Sequence, residues 1–166
     1  IVVIGIDWEN NIYVLDIDRF KSDKAIEYFR HIRDLHQKWN FKKIQAEITA
    51  AQKVIVESIK EFVRKDGLRL KVDEFRPSKR EGSKEERIAA VLEHRYEEMD
   101  VWHFEGGWTP VLEDELILAR PPHDDIKDAL AAAVSIAVKP SRGMTNKMQD
   151  FMTAMSGGNR FGGYSA

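Results

Sequence analysis

The chain contains no cysteine among its 166 residues. Disulfides and thiolate metal sites are therefore excluded, and the absence fits a reducing compartment. No apolar run approaches the roughly 20 residues of a membrane-spanning helix, and no signal-peptide pattern is visible. Charge of one sign is also lacking, because 26 Lys and Arg face 28 Asp and Glu, for a formal net charge of −2. A globally basic nucleic-acid binder is excluded, whereas a local basic patch is not. There is no internal repeat and no initiator methionine. Ile1 begins inside an apolar run, so the chain reads as a fragment or processed part of a longer protein.

What is present is a sequence that can fold. Hydrophobic residues make up 43% of the chain, enough for a real core, and the length argues for one domain. The β-branched run Ile1–Ile6 predicts a strand, and Ile12–Leu15 predicts a second, joined as a hairpin. Ser22 or Asp23 can cap a helix whose apolar face carries Ile26, Phe29, Ile32, Leu35 and Trp39. Lys43 to Ile48 reads as a strand. Ala51, Val54, Ile55, Ser58, Ile59 and Phe62 then fall at helical spacing up to a stop at Gly67. Leu68 to Phe75 reads as a strand. Ser83 and Glu86 form a capping box for a helix from Lys84. A short strand at Val101–Phe104 follows. Thr109-Pro110 suits a helix start, and that helix carries Val111, Leu112, Leu116 and Ile117. Pro121-Pro122 breaks the chain before a last helix with Ile126, Ala129, Leu130, Ala133, Val134 and Ala137. A hairpin followed by alternating β and α elements predicts an α/β fold, a mixed sheet with helices on both faces. After Pro140 the composition shifts to Gly, Ser and Asn, and 157–166 reads as disordered.

The densest chemistry lies in His123-Asp124-Asp125-Ile126-Lys127-Asp128, with three carboxylates within five residues. Helical spacing puts Asp125 and Asp128 on one face. Such crowding of negative charge is costly without a cation, and hard oxygen ligands suit Mg²⁺ or Mn²⁺. Glu47 ends a predicted strand, where ligands gather in open α/β sheets. Plainer roles stand beside these: Asp124 as an N-cap, Glu47 as a solvated strand-end acid, Asp128 as an exposed first-turn acid and His123 as a loop residue. Arg76, Lys79, Arg80, Lys84 and Arg87 place five cations in twelve residues. They suit phosphate contact or, equally, a solvated loop with i,i+4 pairs. Met144, Met148, Phe151, Met152 and Met155 fall at helical spacing, as a partner-docking helix or a frayed tail.

Glu47, the helix start Lys84-x-x-Arg87-Ile88 and His123-Asp124-Asp125-Ile126-x-Asp128-Ala129-Leu130 occur in an order and spacing that resembles the nuclease domain of the phage large terminase subunit. That domain is similar in fold to RNase H and retroviral integrases, and the resemblance covers about residues 1–138. It implies an RNase H-like nuclease domain at 1–138 with a flexible tail at 139–166. It implies a metal-dependent endonuclease that cuts concatemeric double-stranded viral DNA by two-metal phosphodiester hydrolysis, with two Mg²⁺ or Mn²⁺ ions. Glu47 matches the family's middle acid and Asp125 its late acid, with Asp124 and Asp128 as assisting neighbours. The basic residues Arg76, Lys79, Arg80, Lys84 and Arg87 would contact DNA. Implied partners are double-stranded DNA, an ATPase motor domain on the native chain, the portal protein and the small terminase subunit, in the cytoplasm of an infected host cell and with no membrane. Two departures stand out. The family's first acid sits on a strand before the hairpin, and no such strand is found here; Asp7 is a poor substitute, because only two strands precede the first helix. The motor's Gly-x-x-x-x-Gly-Lys-Ser/Thr loop is also missing. Another RNase H-like nuclease, such as a junction resolvase, and a non-catalytic DNA or protein docking module remain as alternatives.

Overall fold

The computed structural model describes residues 1–48, 52–76, 82–118 and 121–140. Five strands and five helices alternate among them much as the apolar periodicity predicts. They are β1 (Val2–Ile6), β2 (Ile12–Ile17), α1 (Ala25–Trp39), β3 (Lys43–Glu47), α2 (Lys53–Lys65), β4 (Lys71–Phe75), α3 (Lys84–Glu97), β5 (Val101–His103), α4 (Thr109–Ile117) and α5 (Asp125–Ser135). Among these residues no helix is long and apolar enough to cross a membrane. The methionines of the predicted docking helix lie outside the described residues.

β1 and β2 form the expected antiparallel hairpin, with Ile4 opposite Val14, Ile6 opposite Ile12, and a register shift between Val3 and Ile4. β5 joins β2 in parallel, which makes a three-stranded mixed sheet in the order β1-β2-β5. β3 and β4 pair in parallel as a separate two-stranded sheet. The expected single sheet is thus divided between β1 and β3, which share no ladder.

Each sheet anchors its own apolar cluster. Alternation in β2 turns Ile12 and Val14 to one side, where they meet Ile88 and Leu92 of α3, Leu112 of α4, and Ile126 and Leu130 of α5. Ile12, Leu112 and Leu130 have no exposed surface. On the β3–β4 side, Phe29 and Ile32 of α1 pack with Ile59 and Val63 of α2 and with Leu70. Asp16 on β2 ties α1 to the first sheet, accepting from Lys38 Nζ and Trp39 Nε1, each at 2.8 Å.

Local signals explain most boundaries. The capping box closes as predicted: Ser83 Oγ accepts from Glu86 N at 3.2 Å, and Glu86 accepts from Ser83 N at 2.7 Å. Gly67 adopts φ +67° just past α2, a left-handed stop that costs glycine nothing. Four expectations need correction. The first helix starts one residue later than expected, with Lys24 at its N-cap; Ser22 Oγ accepts from Lys24 N at 3.0 Å without capping the helix. The buried stripe of α2 is Val56, Ile59 and Val63, with Val54 74% exposed. Six apolar residues between 54 and 63 span too wide an arc to fix its centre from sequence. Thr109 lies inside α4, not before it, and Trp108 takes the N-cap position. α4 also buries Glu115 and leaves Ile117, expected on its apolar face, 81% exposed.

Leu130→Ala should lower unfolding free energy by about 2–5 kcal/mol, because it empties a fully enclosed site where three elements meet. Urea denaturation of the two proteins measures this; a loss below about 1 kcal/mol would place Leu130 outside the core.

Candidate functional site

The start of α5 is unusual in how it is capped. Asp124 holds the N-cap position but makes no side-chain capping bond. The plainer reading of Asp124 as a capping side chain therefore does not hold. Instead Glu115, reaching across from α4, accepts from Ile126 N at 2.9 Å and Lys127 N at 2.8 Å through Oε2. Glu115 is 2% exposed, and its other oxygen has no hydrogen-bond partner among the described residues. A carboxylate there meets both free N–H groups and the positive end of the helix dipole. With the cap supplied from α4, the side chains of Asp124 at the N-cap and of Asp125 and Asp128 in the first turn are free for other partners.

Two of them share one cation. Lys84 Nζ lies 3.0 Å from Asp124 and 3.3 Å from Asp128. Those acids are four residues apart and so stack on one side of α5. Ser83 fixes Lys84 as the first residue of α3, and α3 packs on α5 through Ile88 and Leu92. Burial works against the charge on Lys84, but the Asp124 hydrogen bond and the fields of both aspartates outweigh it and raise its pKa. Asp125 is held more loosely: Arg19 is 3.8 Å away, and the Asp125 side chain is 71% exposed. Arg19 also lies 5.7 Å from the centre of the Trp108 ring, so cation–π attraction helps fix it.

Asp125 and Asp128 line a cleft of about 640 Å³ whose walls are β1 and β3, and Glu47 lines the same cleft. Acids some eighty residues apart in sequence are thus brought to one cavity. Asp125 also lines a second cleft with Arg19, Lys21, Trp108 and His123. Asp124 lines neither. Asp7, the weak substitute for a first acid, is occupied elsewhere. It closes the β1–β2 turn by accepting from Glu9 N, Asn11 N, Asn11 Nδ2 and Tyr13 Oη at 2.9–3.1 Å.

The basic set divides. Lys79 and Arg80 lie outside the described residues. Lys84 is committed to Asp124 and Asp128. Arg76 follows Phe75, the residue opposite Glu47 in the β3–β4 register, so it sits at the carboxyl end of the parallel pair. Arg87 lies near it, its guanidinium 5.9 Å from the Phe75 ring.

Carboxylate oxygens of this kind suit a hard divalent cation. Yet among the described residues no three His, Asp or Glu side chains converge to hold a metal. The aspartates at the start of α5 are instead ion-paired with Lys84 and Arg19. Glu47 and Asp125, with Asp128 or Asp124 once released from Lys84, are the residues that would hold an ion.

Sequence reading missed Glu115, although an acid three residues after Leu112 on an apolar stripe is a signal that it turns inward. It also missed a chain of hydrogen bonds from Tyr96 Oη to His103 Nε2 (2.8 Å) and from His103 Nδ1 to Glu113 Oε1 (3.1 Å). Burial, and then the field of Glu113, push the Tyr96 phenol well above its usual pKa. The two hydrogen bonds tie α3, β5 and α4 together. Comparison with family models, curated proteins and solved structures finds no match to this chain.

Two outcomes test the arrangement. Glu115→Ala should cost about 1–3 kcal/mol, because two helix N–H groups lose a buried acceptor, while Glu115→Gln, which keeps an oxygen, should cost less. Amide exchange at Ile126 and Lys127 should accelerate in Glu115→Ala; unchanged exchange would remove the cap from the account. Lys84 has a raised folded pKa, so its ion pairs stabilise the fold below an unfolded lysine pKa of about 10.4, and that contribution fades as pH rises through the folded value. The stability gap between wild type and Lys84→Met should therefore be flat from pH 7 to 9.5 and close above that. A gap that closes below pH 8 would contradict it.

Proposed function

We propose that this chain is a metal-dependent endonuclease domain acting on double-stranded DNA, of the kind found in viral DNA-packaging terminases. The observation that carries the reading is that Glu47, at the end of β3, and Asp125 and Asp128, in the first turn of α5, line one cleft. They are the acids whose order and spacing resemble that family. The RNase H-like arrangement belongs to this proposal; what stands independently is a mixed α/β fold with the sheet divided beside that cleft.

Each group has a defined task. Glu47 and Asp125 would hold Mg²⁺ or Mn²⁺, which supplies charge for the phosphodiester oxygens and a more acidic bound water. Asp128 and Asp124 would assist. Lys84 pairs with these two acids and holds them in place at the start of α5. Arg76 and Arg87, beside the carboxyl end of the β3–β4 pair, suit backbone phosphates and read no sequence. An ATPase motor on the native chain, the portal and the small terminase subunit belong to the same proposal. No specific observation favours a junction resolvase or a non-catalytic module over it.

In the full-length native protein, Glu47→Gln and Asp125→Asn should each reduce Mn²⁺-dependent nicking of supercoiled plasmid by at least a hundredfold, with the circular dichroism spectrum unchanged. Asp124→Asn should reduce it less, since Asp124 lies off the cleft. Wild-type nicking rates in both Glu47→Gln and Asp125→Asn would sink the assignment.

A further inference from the structure

The outer face of the β1-β2-β5 sheet carries aromatic side chains that the core does not use. Ile12 and Val14 turn into the apolar cluster, so Tyr13 between them points the other way. Tyr13 stands opposite Gly5 on β1 and Trp102 on β5, which puts the two rings side by side on neighbouring strands. Trp102 is 57% exposed, and Tyr13 and Trp8, in the β1–β2 turn, are exposed as well. That turn meets the turn before β5, where Asp100 O accepts from Ile12 N at 2.7 Å and Asn10 O accepts from Arg95 at 3.0 Å. Met99 lies in the second turn at φ +58°, a backbone position where glycine costs less, yet it is 81% exposed. Four large apolar residues thus stand uncovered at one end of one sheet, a grouping that marks interaction surfaces.

The charge around them has one sign. Glu9, Glu97, Glu98, Asp100 and Glu105 lie in these turns or just past β5, and residues 7–15 and 97–105 contain no lysine or arginine. None of these five carboxylates has an ion-pair partner among the described residues. Elsewhere in the fold Asp16, Glu61, Asp73, Glu74 and Asp128 are all paired. Glu97 and Glu98 also stand at the carboxyl end of α3, where the helix dipole disfavours negative charge, so helix stability does not account for them. Arg95, which reaches this end of the sheet, is occupied by the Asn10 carbonyl.

We infer that this aromatic, acid-rimmed face is a docking surface for a protein segment that carries arginines among apolar residues. A guanidinium is planar, stacks on Tyr and Trp rings and pairs with carboxylates through the same atoms, which a lysine ammonium does less well. The apolar residues of the segment would cover Met99 and Trp8. The unpaired carboxylates repel phosphates, so nucleic acid and anionic lipid are the wrong occupants. The surface is also separate from the acidic cleft: β1 lines that cleft, whereas Trp102 is on β5, at the opposite edge of the sheet. The inference therefore does not depend on the nuclease reading, and its readout is binding and not cleavage.

The probe is a dye-labelled, acetylated and amidated eight-residue peptide alternating arginine with leucine, titrated with this chain at physiological salt and followed by anisotropy. Saturable binding is expected. Citrulline in place of each arginine keeps the shape, removes the charge and should weaken binding by about tenfold or more. Trp102→Ala should weaken it by a similar factor, and so should Glu97→Gln combined with Glu98→Gln. Glu57→Gln combined with Glu61→Gln removes two acids from α2 and should leave binding unchanged. Met99→Gly should weaken binding while the melting temperature holds or rises, because glycine relieves the backbone. If Trp102→Ala does not fold, the two glutamine pairs and Met99→Gly still decide. Four results would each overturn the proposal: no binding below about 1 mM, equal losses in the two glutamine pairs, Trp102→Ala weakening duplex DNA binding in place of peptide binding, or peptide-free dimers that Trp102→Ala abolishes. The last would make a second copy of the chain the occupant.

Discussion

The acceptance of two backbone N–H groups by the buried Glu115 carboxylate is the constraint on which the rest of the site depends. A helix beginning with several aspartates normally spends one of them on its own cap. Here the cap comes from a neighbouring helix, and α5 enters the core at a fixed angle, with Ile126 and Leu130 directed into the cluster that includes Ile12 and Leu112. Removing Glu115 would release two helix amides and loosen the end of α5 that presents Asp125 and Asp128. Four carboxylates, counting Glu115, then surround one helix terminus, and two cations, Lys84 and Arg19, are ion-paired with them. The helix dipole and free amides offset part of that excess.

The balance is uneven in a way that ranks the acids. Asp124 and Asp128 are clamped by one lysine whose charge is reinforced by both of them. Asp125 is exposed and only distantly paired, and it lines both clefts. A carboxylate that must bind an incoming cation is better left with a weak, exposed partner than with a tight one, since the first costs less to displace. This gives Asp125 its place in the proposed site on physical grounds that spacing alone did not supply.

Much of the fold was legible in the chain because local chemistry and tertiary packing agree. The Ser83/Glu86 box, the stop at Gly67 and the alternation of Ile12 and Val14 each act over a few residues, and each is found where the pattern puts it. What sequence could not fix are quantities set by rotation or by distant partners. The buried arc of α2 moved to Val56 and Val63 because Val54 to Val63 offer more apolar positions than one face can bury. α4 turned Glu115 inward because its acceptor role is set by amides eleven and twelve residues later. Glu47 and the aspartates were each visible as candidates, but their meeting in one cleft depends on how two sheets pack around α5, which no local signal encodes.

The divided sheet and the acidic helix end are parts of one physical problem. α5 is the element that lines the gap between β1 and β3, and its N-terminal turn contributes the carboxylates at that gap. A helix so placed cannot bury bulky side chains on that flank without closing the cleft, which accounts for Ala129, Ala132 and Ala133 there and for the larger Ile126, Leu130 and Val134 on the opposite, packed flank. The same division of labour runs along the helix axis. Its packed flank anchors α5 to three neighbouring elements, so the acids at its start can bear mutual repulsion without the helix moving. Anything that enters the cleft therefore meets a wall held from behind by the core and at its tip by Glu115.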